Sequence, residues 1–565
     1  MKKLLIGVGL LALFLGWNAP NHYPPWPAFH LELLSALGVC FLAAAVVWPG
    51  GAGTQALPMP WAARAWLLLA LWPLAQWLTG QLVFRGDAAL GWLYAAGAGL
   101  SVYVGCLWAA QQGSARVLRA LFATFVAGGL AAGGLALVQW LRLDSPGWWA
   151  MELIDNRPFA NLAQPNHLGL LMVMAMVAAT ALYESKDIRQ RGVWALAMLF
   201  FGWGVLISES RASMLALCVL AVTWLLSRGR VSTRLRLWEV GTMAALALLL
   251  GLAIEPVQRL LLLGGAEFRA VADAGPRQLI WLHFVAAILQ HPWLGYGFNQ
   301  NVQALAEVAA QVQPSRNVIY AHNVVLDLMS WGGIPLAVVC TGALGTWLAG
   351  WWRKAGEPEA RQQRVLVLAV WLALLVQSML EFPFAHTYFL LPAALLAGAV
   401  TLPPGAAVPG STRFRASAPA LVLMLATVAL LGLTAAEYFR LETDFRFNRF
   451  QRVNGQRGAG AAALEQPWVL DQLAALNATA HYVIGPHMPA EQLQNLGRVA
   501  HRFHILPIRL DYAKALALNG QLGAAEAELQ VIRSVLHPAL YQPIDNRWRD
   551  WLRENAAAID AARAK

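Results

Sequence analysis

The sequence predicts an all-α, polytopic membrane protein, with about thirteen transmembrane helices followed by a soluble helical tail. Three observations carry that reading. Only 13% of the 565 residues are charged and the mean hydropathy is +0.51, too little charge to cover a soluble chain of this size. The apolar residues fall in runs long enough to cross a hydrocarbon layer of about 30 Å. The chain also holds 26 tryptophans, a residue that collects where membrane meets water.

In chain order the apolar segments are 4–18, 31–48, 65–83, 89–110, 120–140, 167–184, 194–208, 212–227, 238–254, 323–350, 365–380, 387–402 and 418–437. The first, MKKLLIGVGLLALFLGW, has the charge and apolar run of a signal peptide. It ends in Trp17-Asn18-Ala19-Pro20 without a small-x-small cleavage site, so it reads as an uncleaved span. With the N-terminus in the cytoplasm, alternate loops gather the basic residues. Lys186, Arg189 and Arg191, the arginines between Arg228 and Arg236, and Arg413 and Arg415 are among them. The short loops opposite hold only Arg85, Arg142, Arg157 and Arg211, and this Lys/Arg bias sets the orientation. An odd number of spans puts the C-terminus outside.

The net charge of +11 would point to nucleic acid in a soluble protein; here it belongs to the loops, and no nucleic-acid partner is expected. Cys40, Cys106, Cys218 and Cys340 lie far apart inside apolar runs without CxxC spacing, which argues against a metal or disulfide framework. Residues 1–440 therefore form a membrane domain with a large external loop, 255–322, and residues 441–565 a soluble helical domain. In that tail Asp511–Val531 reads as two short helices around Asn519-Gly520, with Ala513, Ala524 and Ala525 where the helices pack closely. One such pair resembles a tetratricopeptide-type unit; an ordinary helical hairpin is the alternative.

Polar and ionisable residues at the ends of spans point to function, because placing them in a membrane protein is costly. Four groups fall on the external side. Arg157 to His167 reads RPFANLAQPNH; Pro165 precedes a helix, Asn166 is placed to cap it, and Gln164 and His167 are left at the membrane surface. Ser208-Glu209-Ser210-Arg211 is a short polar link in which Arg211 needs either Glu209 or a bound phosphate. Arg277 to Trp281, followed by Pro292 to Gly297, reads as an amphipathic surface helix ending in a glycine-rich turn, with Trp281 and Trp293 as bilayer anchors. Tyr320-Ala321-His322-Asn323 opens a span, with Asp327 one turn in. An imidazole, with an ordinary pKa of about 6.5, accepts a proton from an alcohol, and arginines on the same face hold a pyrophosphate. Glu381 to Tyr388 adds a carboxylate and a phenol.

These residues resemble the bacterial O-antigen ligase/polymerase superfamily, specifically its protein O-oligosaccharyltransferase branch of the pilin-glycosylating type. The resemblance rests on NLAQPNHL from Asn161, Ser208-x-Ser210-Arg211, and Arg277-x-x-x-Trp281 with Pro292-x-Leu294-Gly295-x-Gly297. It rests equally on Ala321-His322-Asn323 and on Glu381-Phe382-Pro383-Phe384 leading to Tyr388. It implies a GT-C-like transferase of the bacterial inner membrane, with its active site and tail in the periplasm, working without a metal or other cofactor. The donor would be a glycan on undecaprenyl pyrophosphate, and the acceptor a Ser or Thr of a periplasmic or pilin-like protein, recruited through the tail. His322 would activate the acceptor hydroxyl. Arg211 and Arg277, assisted by Arg157, would hold the pyrophosphate; Gln164, Asn166, His167, Tyr388 and Glu381 would position substrate. Glu209 departs from the small or polar residue expected there and sets a carboxylate beside Arg211. An O-antigen ligase acting on lipid A-core is the nearest alternative and an O-antigen polymerase the next. A transporter would show internal repeats and mid-span charges; no clear repeat is evident here, and the polar residues lie at one face, with Asp327 slightly deeper.

Overall fold

The structure, a computed structural model, describes residues 1–47, 55–143, 147, 149–153, 156–231, 233–261, 263, 277–312, 318–354, 356–401, 414–453, 467–536 and 538–564. Arg413 and parts of the loops 141–166 and 255–322 lie outside the described residues.

Helices dominate. They are α1 (Lys2–Asn18), α2 (Phe29–Val47), α3 (Trp61–Leu78), α4 (Arg85–Gln112), α5 (Ser114–Trp140), α6 (Pro165–Glu184) and α7 (Arg191–Ile207). They continue with α8 (Arg211–Ser227), α9 (Leu237–Leu260), α10 (Arg277–Gln290), α11 (Asn301–Glu307), α12 (Val324–Arg353), α13 (Pro358–Ser378) and α14 (Thr387–Ala399). The long α15 (Ala418–Val453) precedes α16 (Asp471–Ala478), α17 (Ala490–Arg502), α18 (Leu506–Leu518), α19 (Leu522–Val535), α20 (Pro538–Glu554) and α21 (Ala556–Arg563). The one sheet among the described residues pairs β1 (Gln55–Leu57) with β2 (Phe414–Ala416) in parallel. Each apolar segment read from the sequence overlaps a helix, although the segment 65–83 runs past the end of α3 at Leu78. Seven of these helices (α2, α4, α5, α6, α9, α12 and α15) are long and apolar enough to cross a membrane.

The chain divides into two compact units. The first comprises 1–69, 94–273 and 343–429. Its core is apolar and aromatic, with Trp17, Trp108, Trp371, Tyr103 and Phe125 among the largest fully buried side chains. Leu130, Leu196, Leu248 and Leu252 point outward from its helices, as lipid-facing positions do.

The second unit comprises 70–93, 274–342 and 430–565, so the tail shares it with the large loop from Arg277 onward. Asp471 accepts hydrogen bonds from the Gly86 and Arg85 amides at 2.8 and 3.2 Å. These are the first amides of α4, which have no partner within their own helix. Arg502 makes a bidentate pair with Asp87, at 2.7 and 2.6 Å, and the two side chains are only 7% and 0% exposed. Burial works against the Arg502 charge, but the adjacent Asp87 carboxylate outweighs it and raises the guanidinium pKa. Arg498 adds a bond to the Val83 carbonyl at 2.7 Å.

The pair α18–α19 is a helical hairpin whose shared face buries Ala513, Leu516, Ala525 and Leu529. Ala524, expected at that contact, is exposed. One residue further round the helix than Ala525, it turns away from the face the pair shares.

Candidate active site

In the first unit the site is built on the start of α6. Pro165 is its first residue, where a missing N–H is harmless. Gln164, not Asn166, is the N-cap residue, extended at φ −144° and without a side-chain cap bond. Asn166 lies inside the helix. Its carbonyl accepts from Gln377 Nε2 at 2.9 Å and its side chain from Arg157 at 3.4 Å. His167, expected at the membrane surface, is 2% exposed, because the third residue of α6 turns toward the core. Its Nδ1 shares a 3.0 Å hydrogen bond with the Tyr388 hydroxyl. Its Nε2 and the Gln164 Oε1 are buried without a hydrogen bond among the described residues.

Behind this pair runs a polar chain that sequence reasoning missed. The His386 ring packs 4.7 Å from that of His167 and stacks on Tyr388. His386 Nδ1 lies 3.0 Å from Glu32 Oε1, and the Tyr94 hydroxyl donates to the other Glu32 oxygen. The available signal was a carboxylate inside the apolar run of α2, since an ionisable residue there needs partners. His22, in the loop before α2, is half-buried. Burial lowers its pKa more than its hydrogen bond to the Asn161 carbonyl raises it, so it is neutral at pH 7.

The loop before α6 is fixed from below by Gln139, whose Oε1 accepts from the Phe159 and Ala160 amides at 3.0 and 2.7 Å. Asn161 donates to the Asn18 and Trp149 carbonyls, both at 2.7 Å. The loop presents Arg157, which binds the Ser208 carbonyl at 3.0 and 2.7 Å and lies 4.0 Å from Glu209. Arg211, half-buried, is the first residue of α8, and Ser210 caps that helix by accepting from the Ser213 amide at 3.3 Å. Gly169 permits the close crossing of α6 and α8, since a Cβ there would sit 2.5 Å from Ser213 Oγ. Glu381 is buried where α13 gives way to a single 3-10 turn, Pro383–Ala385, that leads to Tyr388.

The second unit holds Arg277 and His322. Arg277 opens α10, and four residues on Trp281 donates from Nε1 to the Ala321 carbonyl at 3.0 Å. Trp281 is thus part of the site's framework and not a free bilayer anchor. Asp327, wholly buried, accepts from the Ala321 amide at 2.9 Å and from Asn301 Nδ2 at 2.7 Å. Asn323 caps α12 by accepting from the Val325 and Leu326 amides at 3.0 and 3.3 Å. The backbone on both sides of His322 is therefore pinned, with His322 itself at φ +53°.

The turn after α10 is held by α12. The Tyr296 and Gly297 amides donate to the Ser330 and Trp331 carbonyls at 2.7 and 3.1 Å. There α12 breaks at Gly333, φ +79°, where a Cβ would lie 2.2 Å from the Trp293 carbonyl. Only glycine fits that contact and that dihedral.

Arg211 and Arg277 each stand at a helix start, where unpaired N–H groups and the helix dipole favour negative charge.

Two family models match the chain. Residues 196–341 match one described as O-antigen ligase, and residues 365–543 match one described as virulence factor membrane-bound polymerase, C-terminal. The first span holds Arg211, Arg277 and His322, and the second holds Glu381 and Tyr388. The general O-oligosaccharyltransferase of Acinetobacter baylyi is 29% identical over 412 residues, covering 71% of this chain and 70% of that protein. The ComP-specific O-oligosaccharyltransferase of the same organism is 22% identical over 253 residues, 44% of each chain.

Proposed function

We propose, for a chain that belongs to the O-antigen ligase superfamily in its protein O-oligosaccharyltransferase branch, a role in O-linked protein glycosylation at the external face of a bacterial inner membrane. The donor is an oligosaccharide on undecaprenyl pyrophosphate, and the acceptor is a Ser or Thr hydroxyl of a periplasmic or pilin-like protein. The observation that carries this reading is the His322 loop, pinned by Asp327 and Asn323 and tied through Trp281 to the helix that begins with Arg277. A held imidazole and a guanidinium on one framework suit attack by a hydroxyl with departure of a phosphate.

In the reaction His322 takes the proton of the acceptor hydroxyl as its oxygen bonds to the anomeric carbon. The bond from that carbon to the pyrophosphate oxygen breaks, and charge grows on the leaving group. Arg277, Arg211 and Arg157 hold that charge, and the reaction is taken to proceed without a metal. Gln164, Asn166, His167, Tyr388 and Glu381 position the substrates.

The test is a transfer assay in EDTA with the purified chain, a pyrophosphate-linked polyprenyl glycan and two acceptors, a pilin-like protein and a lipid A-core. Glycan on the protein supports the proposal. Glycan on the lipid alone makes the chain an O-antigen ligase, the reading favoured by the match over residues 196–341. Two variants refine the roles. Arg277→Lys should weaken donor use about tenfold, since an ammonium cannot reproduce a bidentate contact; an unchanged KM for donor removes Arg277 from the pyrophosphate site. Asp327→Ala, which frees the Ala321 amide, should lower kcat about 10²-fold through misplacement of His322. Asp327→Asn, which keeps an acceptor oxygen, should retain most of the rate, and equal loss in both would make the charge itself the requirement.

A further inference from the structure

The outer face of α10 carries a feature that the mechanism does not use. The helix was expected to be amphipathic, but it is apolar on both sides. Its inner face buries Ile280, Phe284, Ala287 and Ile288, while Leu282 and Leu289 stand 57% and 67% exposed on the other, with Val285 between them. No Lys, Arg, Asp or Glu occurs from Gln278 to Gln290. The exception to apolarity on the inner face, His283, is buried with its ring nitrogens against the Leu279 and Val312 carbonyls.

This exposed stripe has a direction. At its start Gln278, Trp281, Leu282 and Val285 line an open groove, one residue past Arg277. At its far end Trp293 is 75% exposed, in the turn fastened to α12 by the bond from the Ile334 amide to the Pro292 carbonyl at 2.8 Å. The stripe thus leads to Ile334, Val338 and Val339, which are exposed on a helix long and apolar enough to span a membrane. One end is a cation at a helix start and the other is a lipid-facing surface. The helix between them is about 20 Å long.

We infer that this groove and stripe seat the polyisoprenyl tail of the donor, its first isoprene units against Trp281, Leu282 and Val285. The inference rests on the lipid-pyrophosphate donor proposed above. In such a donor the hydrocarbon begins directly at the phosphate, so an apolar seat must begin beside the residue that holds the pyrophosphate, as this groove does. The tail then follows Leu289 toward α12 and the bilayer. Ordinary acyl chains would need only the stripe and not a groove at its cationic end.

The test uses the purified full chain in mild detergent with one glycan on two pyrophosphate carriers, a long polyisoprenyl and a water-soluble two-isoprene chain. In L282Q/V285T, two exposed positions made polar, the KM for the long donor should rise about tenfold. The kcat, and the KM for the short donor, should be unchanged. The apolar pair L282M/V285I should behave as wild type. An unchanged KM for the long donor in L282Q/V285T overturns the inference, and so does an equal rise for both donors, which would assign the face to glycan or acceptor. Wild-type protein inactive with both donors would instead overturn the function on which the inference rests.

Discussion

Replacing His322 by alanine is expected to lower glycan transfer by about 10²–10⁴-fold, the usual contribution of a positioned general base. The fold should survive the change, because the contacts that hold the loop are made by its neighbours. Ala321 is fixed through its amide by Asp327 and through its carbonyl by Trp281, and Asn323 caps the following helix. One side effect is local. Alanine at φ +53° is disfavoured by about 1–2 kcal/mol, whereas asparagine tolerates the left-handed region and is no base at neutral pH. His322→Asn is therefore the cleaner variant, and both should be inactive. The rate is read by the mass added to the acceptor protein, with thermal unfolding followed in parallel. Transfer near the wild-type rate in His322→Asn would remove His322 from the chemistry.

Arg502→Met should destabilise the second unit by about 3–5 kcal/mol, the cost of leaving a buried charge without its partner. Asp87 is 0% exposed and Arg502 7%, so water cannot take over for the missing guanidinium. The double variant Asp87→Leu/Arg502→Met should recover most of that loss, since well-packed apolar side chains often replace a buried pair at little cost. Thermal unfolding of the detergent-solubilised chain and protease release of the tail report the change. A single variant that unfolds at the wild-type temperature would show that the pair contributes no more than a surface ion pair, about 0–1 kcal/mol.

Much of the helical framework was legible because the signal is cumulative. Long apolar runs identify helices such as α5 and α6 with no knowledge of their neighbours. The Asn323 cap and the pinned loop at His322 were half legible, as a polar cluster at a span start names the residues but not their bonds. Asp327 read as a carboxylate near a site, and only the fold shows that it acts through the Ala321 amide. His167 was misplaced because sequence gives its position along α6 but not the face on which it lies. Glu32, Tyr94 and His386 come from three segments far apart in the chain, and no local pattern joins them. The break at Gly333 was also invisible, since Gly332-Gly333 inside an apolar run says nothing of the Trp293 carbonyl that requires it.

The Asp87–Arg502 pair has a consequence in time as well as in space. Its partners are 415 residues apart in the chain, so during synthesis Asp87 enters the membrane long before its counter-ion exists. Asp471, which holds the first amides of α4, comes late as well. The amino-terminal end of α4 is thus left with an uncompensated charge and unpaired amides through most of translation. Completion of this part of the fold is deferred until the residues around Asp471 and Arg502 have been made, and a chain released before them cannot complete it.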